Sequence, residues 1–142
     1  MLIDGKHTYV LDGDNLRLGL NKDLGFTPGD RAENVRRVAE VAKLMSDAGL
    51  IVIVALVSPF ESDRQAAKSI FNTTPFYEIF IDTPVDICQQ RDPKGLYAKA
   101  NKGEIPNFTG LGQDYEIPKN PDLILDGTAD ISKNLEQLIN LI

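Results

Sequence analysis

The segment Asp12-Gly13-Asp14-Asn15-Leu16-Arg17 sets two carboxylates close together and follows them with an arginine. Carboxylates at that spacing can hold a hydrated magnesium ion or accept a hydroxyl proton. The planar guanidinium fork suits phosphate or sulfate. Isolated, the same string reads first as a turn, since Asp, Gly and Asn are turn formers. A second cluster is Arg31, Asn34 and Arg37. Positions 31 and 34 share one face of a helix, and a helix N-terminus favours anions. The competing reading is a solvated basic face. Arginine in a first helical turn opposes the macrodipole, which slightly favours a bound anion but leaves both readings open.

Ser58-Pro59-Phe60 follows an apolar run, where Ser58 could touch a ligand or cap the next helix. In isolation the cap comes first. Asp92-Pro93-Lys94-Gly95-Leu96-Tyr97, with Lys99, Lys102 and Phe108 beyond it, reads as a mobile basic lid over phosphates or as an ordinary exposed loop. His7, the only histidine, precedes the first strand and reads as a surface residue.

The elements that must position these groups alternate. Thr8–Leu11 reads as a strand, and Arg31 to Ala48 as a helix with Val35, Val38, Ala39, Ala42 and Met45 at helical spacing. Thr27 and Asp30 form its capping signal and Gly49 its stop. Leu50–Val57 is a continuous apolar run suited to a strand buried on both faces. Ser62 to Phe71 is a helix, Glu78–Ile81 a strand, Val85–Arg91 a short helix with Pro84 before it, and Leu96–Lys102 another. Gly103 to Asn120 is loop-like, Leu123–Leu125 a strand and Ile131–Leu141 a closing amphipathic helix. Alternation of this kind implies a parallel sheet flanked by helices, with ligands beyond the carboxyl ends of the strands. Asp12, Asp14, Ser58 and Asp82 follow predicted strands.

The 142 residues suit one domain, 1–142, with 42% hydrophobic and 25% charged residues. The longest apolar run is far below the roughly 20 residues that span a bilayer, and Met1–Val10 lacks the pattern of a signal peptide. The single cysteine, Cys88, leaves no internal disulfide and no cysteine-based zinc site. A cytoplasmic protein without membrane partners is the simple expectation. A net charge of −6 argues against a general nucleic-acid binder. Nowhere does the sequence read Gly-x-x-x-x-Gly-Lys-[Ser/Thr], since Gly5-Lys6 is followed by His7.

Together the clusters resemble the adenylylsulfate (APS) kinases. The matching stretches are residues 9–17, 19–26, 30–37, 58–60, 92–97 and 107–110, in the family's order. The resemblance implies a P-loop-kinase fold and transfer of the ATP γ-phosphate to the 3′-hydroxyl of APS, giving PAPS in sulfate assimilation. By position, Asp12 and Asp14 would lie at the transferring phosphate, with Asp14 meeting Mg2+ through water. Arg17, Phe26, Arg31, Asn34, Val57, Ser58, Lys94 and Phe108 would bind APS, with Phe26 and Phe108 on its adenine. Ser58 is also a phosphate acceptor in some accounts of the family. Lys94 and Lys99 would form the lid. Leu18 stands where the family commonly has histidine, a change expected to matter little.

In that fold the phosphate loop, the strand before it and the helix after it precede the matched region, and Met1–Gly5 aligns with the end of that helix. The strand would be central, between Ile51–Val57 and Glu78–Ile81. Its absence would expose apolar strand edges, favour self-association and remove the amides and lysine that hold ATP. The expectations are therefore an APS kinase using ATP and Mg2+, as a homo-oligomer or with a sulfurylase. The alternative is a catalytically inactive APS- or PAPS-binding relic or regulatory partner subunit.

Overall fold

The computed structural model of the chain describes residues 2–3, 5–105 and 108–142. It is an α/β structure that divides into two compact units, Met1–Phe76 and Tyr77–Ile142. The first unit holds β1 (Leu2–Ile3), β2 (Lys6–Asp12), α1 (Gly13–Leu18), α2 (Pro28–Asp47), β3 (Ile51–Ala55) and α3 (Glu61–Phe71). The second holds β4 (Ile79–Asp82), α4 (Val85–Arg91), α5 (Leu96–Asn101), β5 (Leu123–Asp126) and α6 (Ile131–Ile139).

In the first unit β2 and β3 run parallel, in register from Thr8 opposite Ile51 to Asp12 opposite Ala55. One face of α2 packs on this sheet because its apolar residues recur at helical spacing. Val35, Val38, Ala39 and Ala42 form the core with Leu11 of β2 and Ala67 and Phe71 of α3. Phe76 closes one end, its ring 5.1 Å from that of Phe71.

The cap predicted before α2 is present. Thr27 Oγ1 accepts from the Asp30 amide at 3.2 Å, and Asp30 Oδ2 accepts from the Thr27 amide at 3.3 Å. The helix consequently starts at Pro28, before the expected Arg31, and Pro28 needs no amide partner there. Replacing Thr27 with alanine should cost about 1 kcal/mol. A thermal melt should read this as a drop of a few degrees.

Three expectations change. The run Leu50–Val57 shortens to β3 and is not buried on both faces: Val54 is 43% exposed. Among the described residues β3 pairs with β2 on one edge only, so one strand and the helices are all that cover it. The string after Asp12 is a short helix, α1, and not a plain turn. Lastly, of the helical end expected at Met1–Gly5, Met1 and Asp4 lie outside the described residues, and Leu2–Ile3 is the strand β1, which pairs antiparallel with β2, Leu2 opposite His7 and Ile3 opposite Lys6. Gly5, at φ +78°, supplies the left-handed backbone such a reversal needs.

The second unit is built on a parallel pair, β4 with β5, from Ile79 opposite Leu123 to Asp82 opposite Asp126. Side chains fasten its ends. Asp122 Oδ2 accepts from the Glu78 amide at 2.7 Å, and Arg91 donates to the Gly127 carbonyl at 2.8 Å. Asp130 caps α6 by accepting from the Ser132 amide. Parallel pairs with flanking helices in both units accord with the α/β class read from the alternation of elements.

Candidate functional site

The parallel register brings two chain segments out at the same end of the first unit. Asp12, the last residue of β2, lies opposite Ala55, the last of β3. The chain turns there at Gly13, where a Cβ would meet Leu56 Cβ at 3.1 Å and the Ala55 carbonyl at 3.3 Å. Any side chain at this position would crowd the end of β3, and glycine lets the chain leaving β2 pass close to it. Asp12 is the N-cap of α1, its Oδ1 accepting from the Asp14 and Asn15 amides at 3.0 and 3.1 Å. The carboxylate is thereby fixed, and Oδ2 takes part in neither bond. Asp14 lies in the first turn of α1 and is exposed.

One turn further, Arg17 reaches over the following loop. Its Nη1 donates to the carbonyls of Leu24 and Gly25 at 3.2 and 3.0 Å, while its Cζ stands 4.4 Å from the centroid of Phe26. Arg31 comes to the same ring from α2, with its Cζ at 5.6 Å. Two guanidinium groups thus converge on one half-exposed ring, each within cation–π range. Arg31 is itself buried, and burial first, then the charge of Arg17, pushes its pKa below the ordinary value. Such a pair favours an anion between or beside the two groups. The anion-binding potential of the bare helix end, by contrast, is met internally, since Thr27 and Asp30 already occupy it.

Asn34, one turn along α2 from Arg31, is buried, and its Oδ1 accepts from Asn21 Nδ2 at 3.0 Å. Asn21 was not singled out from the sequence. It lies in a polar loop, and nothing local distinguishes it from an exposed turn residue. Yet it is 0% exposed.

Arg37 is a brace for the loop that carries Phe26, and no solvated basic face. It pairs with Asp23 at 2.8 Å and with Glu33 at 2.8 Å, and donates to the Leu20 carbonyl at 3.2 Å. Hydrogen bonds from Arg36 and then Arg37 lower Glu33 from 4.5 to about 2, and Arg37 holds Asp23 below the usual carboxylate range. A carboxylate depressed on folding stabilises fully above its unfolded pKa and loses that contribution as pH falls through its folded one. The window for Glu33 therefore runs from about 4.5 down to about 2. These are exposed groups, so the effect is small. The variant Arg37→Ala should show a shallower loss of melting temperature across this window than the parent, and equal slopes would refute the brace.

Val57 is exposed and Ser58 half-buried on the segment leaving β3. Ser58 does not cap α3. The N-cap is Phe60, without a side-chain bond, because the helix begins too late for the serine to reach its amides. The Ser58 carbonyl instead accepts from buried Arg64 at 2.9 Å, and Arg64 also bonds Glu61 at 2.6 Å. This guanidinium fixes the segment from beneath.

The remaining expected residues lie in the second unit. Asp92 accepts from the amides of Tyr97 and Ala98 at 3.1 and 3.0 Å, which starts α5 between Lys94 and Lys99. Phe108 sets its ring edge-on against Tyr97 at 4.9 Å. A hollow of about 380 Å³ in this unit is lined by Asp86, Gln89, Asp92 and Tyr97. Another of about 330 Å³ in the first unit, between α2 and α3, is lined by Ala32, Arg36, Asp63 and Ile70. Neither includes a residue expected to bind APS, although Asp92 and Tyr97 of the first belong to the candidate lid segment. The matched stretch 107–110 includes Asn107, which lies outside the described residues. No described helix is long and apolar enough to cross a membrane.

Comparison with known proteins identifies the family of the chain. The family described as Adenylylsulphate kinase matches residues 1–126. The adenylyl-sulfate kinase of Staphylococcus epidermidis is 50% identical over 137 residues, covering 96% of this chain and 69% of that protein. The bifunctional enzyme NodQ of Rhizobium meliloti is 63% identical over 119 residues, covering 84% of this chain. The chain spans only 19% of the length of that NodQ. The solved structure of the Mycobacterium tuberculosis APS kinase CysC in complex with AMPPNP and APS matches with a TM-score of 0.93 and 50% identity, over 96% of this chain and 80% of that one. The chain belongs to the adenylylsulphate kinase family.

Proposed function

We propose that the protein binds APS in its first unit and serves transfer of the ATP γ-phosphoryl group to the APS 3′-hydroxyl, yielding PAPS for sulfate assimilation. One observation carries the reading: Arg17 and Arg31 converge on the ring of Phe26, 4.4 and 5.6 Å from its centroid. A nucleotide with an anionic group matches that arrangement, its base on the ring and its charge on the forks. Asn34 adds a polar contact from the same face of α2. Val57 and Ser58 line the pocket from the neighbouring strand end. For Lys94, Lys99 and Phe108, in the second unit, the support is the family match.

Asp12 serves as acceptor of the 3′-hydroxyl proton through Oδ2, its other oxygen being tied to two amides. The residues also fit Mg2+ of one kind. Among the described residues no three His, Cys, Asp or Glu side chains gather into a metal-binding group. A lone carboxylate such as Asp14 suits a hydrated ion held mainly by ATP phosphates. When bound, Mg2+ would neutralise charge on the transferring group. The bifunctional character of the NodQ relative supports work alongside a second activity, a sulfurylase in our reading, and the hexameric APS kinase from Thiobacillus denitrificans, 26% identical with a TM-score of 0.69, supports a homo-oligomer.

Calorimetric titration with APS tests the pocket, with micromolar saturable binding expected. Absence of binding would overturn the assignment of Arg17, Phe26, Arg31 and Asn34. A second reading, confined to a polypeptide of these residues alone, is APS binding without transfer, since they carry no Gly-x-x-x-x-Gly-Lys-[Ser/Thr] string.

A further inference from the structure

We propose that Asn21 is a positioning residue that sets which end of the Asn34 carboxamide faces the ligand. The inference rests on the assignment of Asn34 to the APS pocket. Asn34 is 5% exposed and Asn21 is 0% exposed, so neither side chain can turn freely. Asn21 Nδ2 donates to Asn34 Oδ1 at 3.0 Å. An asparagine amide has one acceptor end and one donor end. With the acceptor end held by Asn21, Asn34 presents N–H donors in the other direction. Donors are what an anionic nucleotide, with its phosphate, sulfate and ring acceptors, requires.

The backbone keeps Asn21 where it is. Its amide donates to the Leu16 carbonyl at 2.9 Å, which ends α1, and its carbonyl accepts from the Leu24 amide at 3.1 Å, within the loop that leads to Phe26. Asn21 therefore ties α1, which bears Arg17, to α2, which bears Arg31 and Asn34. Its own Oδ1 is buried with no hydrogen-bond partner among the described residues, an unfavourable arrangement that a small apolar residue would avoid. A donor aimed at Asn34 is what asparagine supplies in exchange.

A double-mutant cycle tests this. APS affinity is measured by calorimetry for the parent chain, Asn21→Ala, Asn34→Ala and the double variant, each checked for a cooperative melt. Asn21→Ala should weaken APS binding about tenfold in the parent and less than twofold when Asn34 is already alanine. A merely structural role for Asn21 would weaken binding equally in both backgrounds, and that result would overturn the inference. Should Asn21→Ala fail to fold, the side-chain amide resonances of the parent decide. The Asn34 NH2 pair should shift on adding APS more than the Asn21 pair does. An Asn34 pair that does not respond, in a chain that binds APS, would overturn the inference. A parent chain that does not bind APS fails the functional reading itself, a separate outcome.

Discussion

Replacing Arg31 with methionine should weaken APS binding on the order of 100-fold, which corresponds to about 2.7 kcal/mol. The melting temperature should stay within a few degrees of the parent. The two halves of this expectation have one cause. Arg31 is 8% exposed beside a second guanidinium, and both burial and Arg17 disfavour its charged form. In the unliganded fold burial and the charge of Arg17 work against its charged form, so its loss should cost less stability than binding. Methionine also retains an apolar stem suited to that buried position. With an anion bound, the same charge is desolvated against its partner, and truncating such a pair typically costs 2–5 kcal/mol. Arg31→Lys keeps the charge and loses the fork, and should fall between parent and methionine. Binding within threefold of the parent for Arg31→Met would remove Arg31 from the pocket.

What the sequence could show of this site divides along physical lines. The long helix was legible because its pattern and its burial are one fact: Val35, Val38, Ala39 and Ala42 repeat at helical spacing, and all four are in the core. Its cap was legible because Thr27 and Asp30 stand at the spacing reciprocal bonds require. The short helix Val85–Arg91 was bounded by its flanking proline. Helix α1 was not legible. Its Asp, Gly and Asn are turn formers, and the helix depends on the Asp12 cap and on Asn21 closing its end. The expected burial of Leu50–Val57 failed for another reason: composition records suitability for a two-sided strand, whereas exposure depends on which neighbours are present.

Arg17, Arg31 and Asn34 stand out in the sequence as local clusters, whereas Phe26 and the grouping of all four come only through the family resemblance. Arg17, Phe26 and Arg31 are brought together by a loop that Arg37 braces from across its span, through Asp23 and the Leu20 carbonyl. Asn21 and Asn34 bond across 13 positions of sequence. Neither relation has a periodicity to detect. Arg64 behaves likewise, since as sequence it is one more charge on α3, and in the fold it is buried beneath the Ser58 carbonyl.

A polypeptide limited to these 142 residues should bind APS and yet show no saturable binding of ATP at micromolar concentrations. Its phosphoryl transfer should be at least ~10⁴-fold slower than that of the same residues preceded by the strand, phosphate loop and helix of an adenylyl-sulfate kinase. The groups gathered at Phe26 all come from the first unit: Arg17 from α1, Arg31 and Asn34 from α2, with their supports Asn21 and Arg37 beside them. ATP is different. Phosphoryl transfer depends on donors fixed around the β- and γ-phosphates, and losing one comparable donor costs 10²–10³ in rate. The sequence offers no glycine-rich string ending in Gly-Lys-[Ser/Thr] to supply them. The lysines at 94, 99 and 102 contribute charge but not a cradle of amides. Measuring release of labelled γ-phosphate into PAPS, with APS binding confirmed on the same sample, separates the two readings of function. Transfer that appears only when the phosphate loop is joined makes the chain the acceptor-binding part of a kinase. Ordinary ATP affinity for the 142 residues alone would mean the phosphates are held by residues assigned no such role.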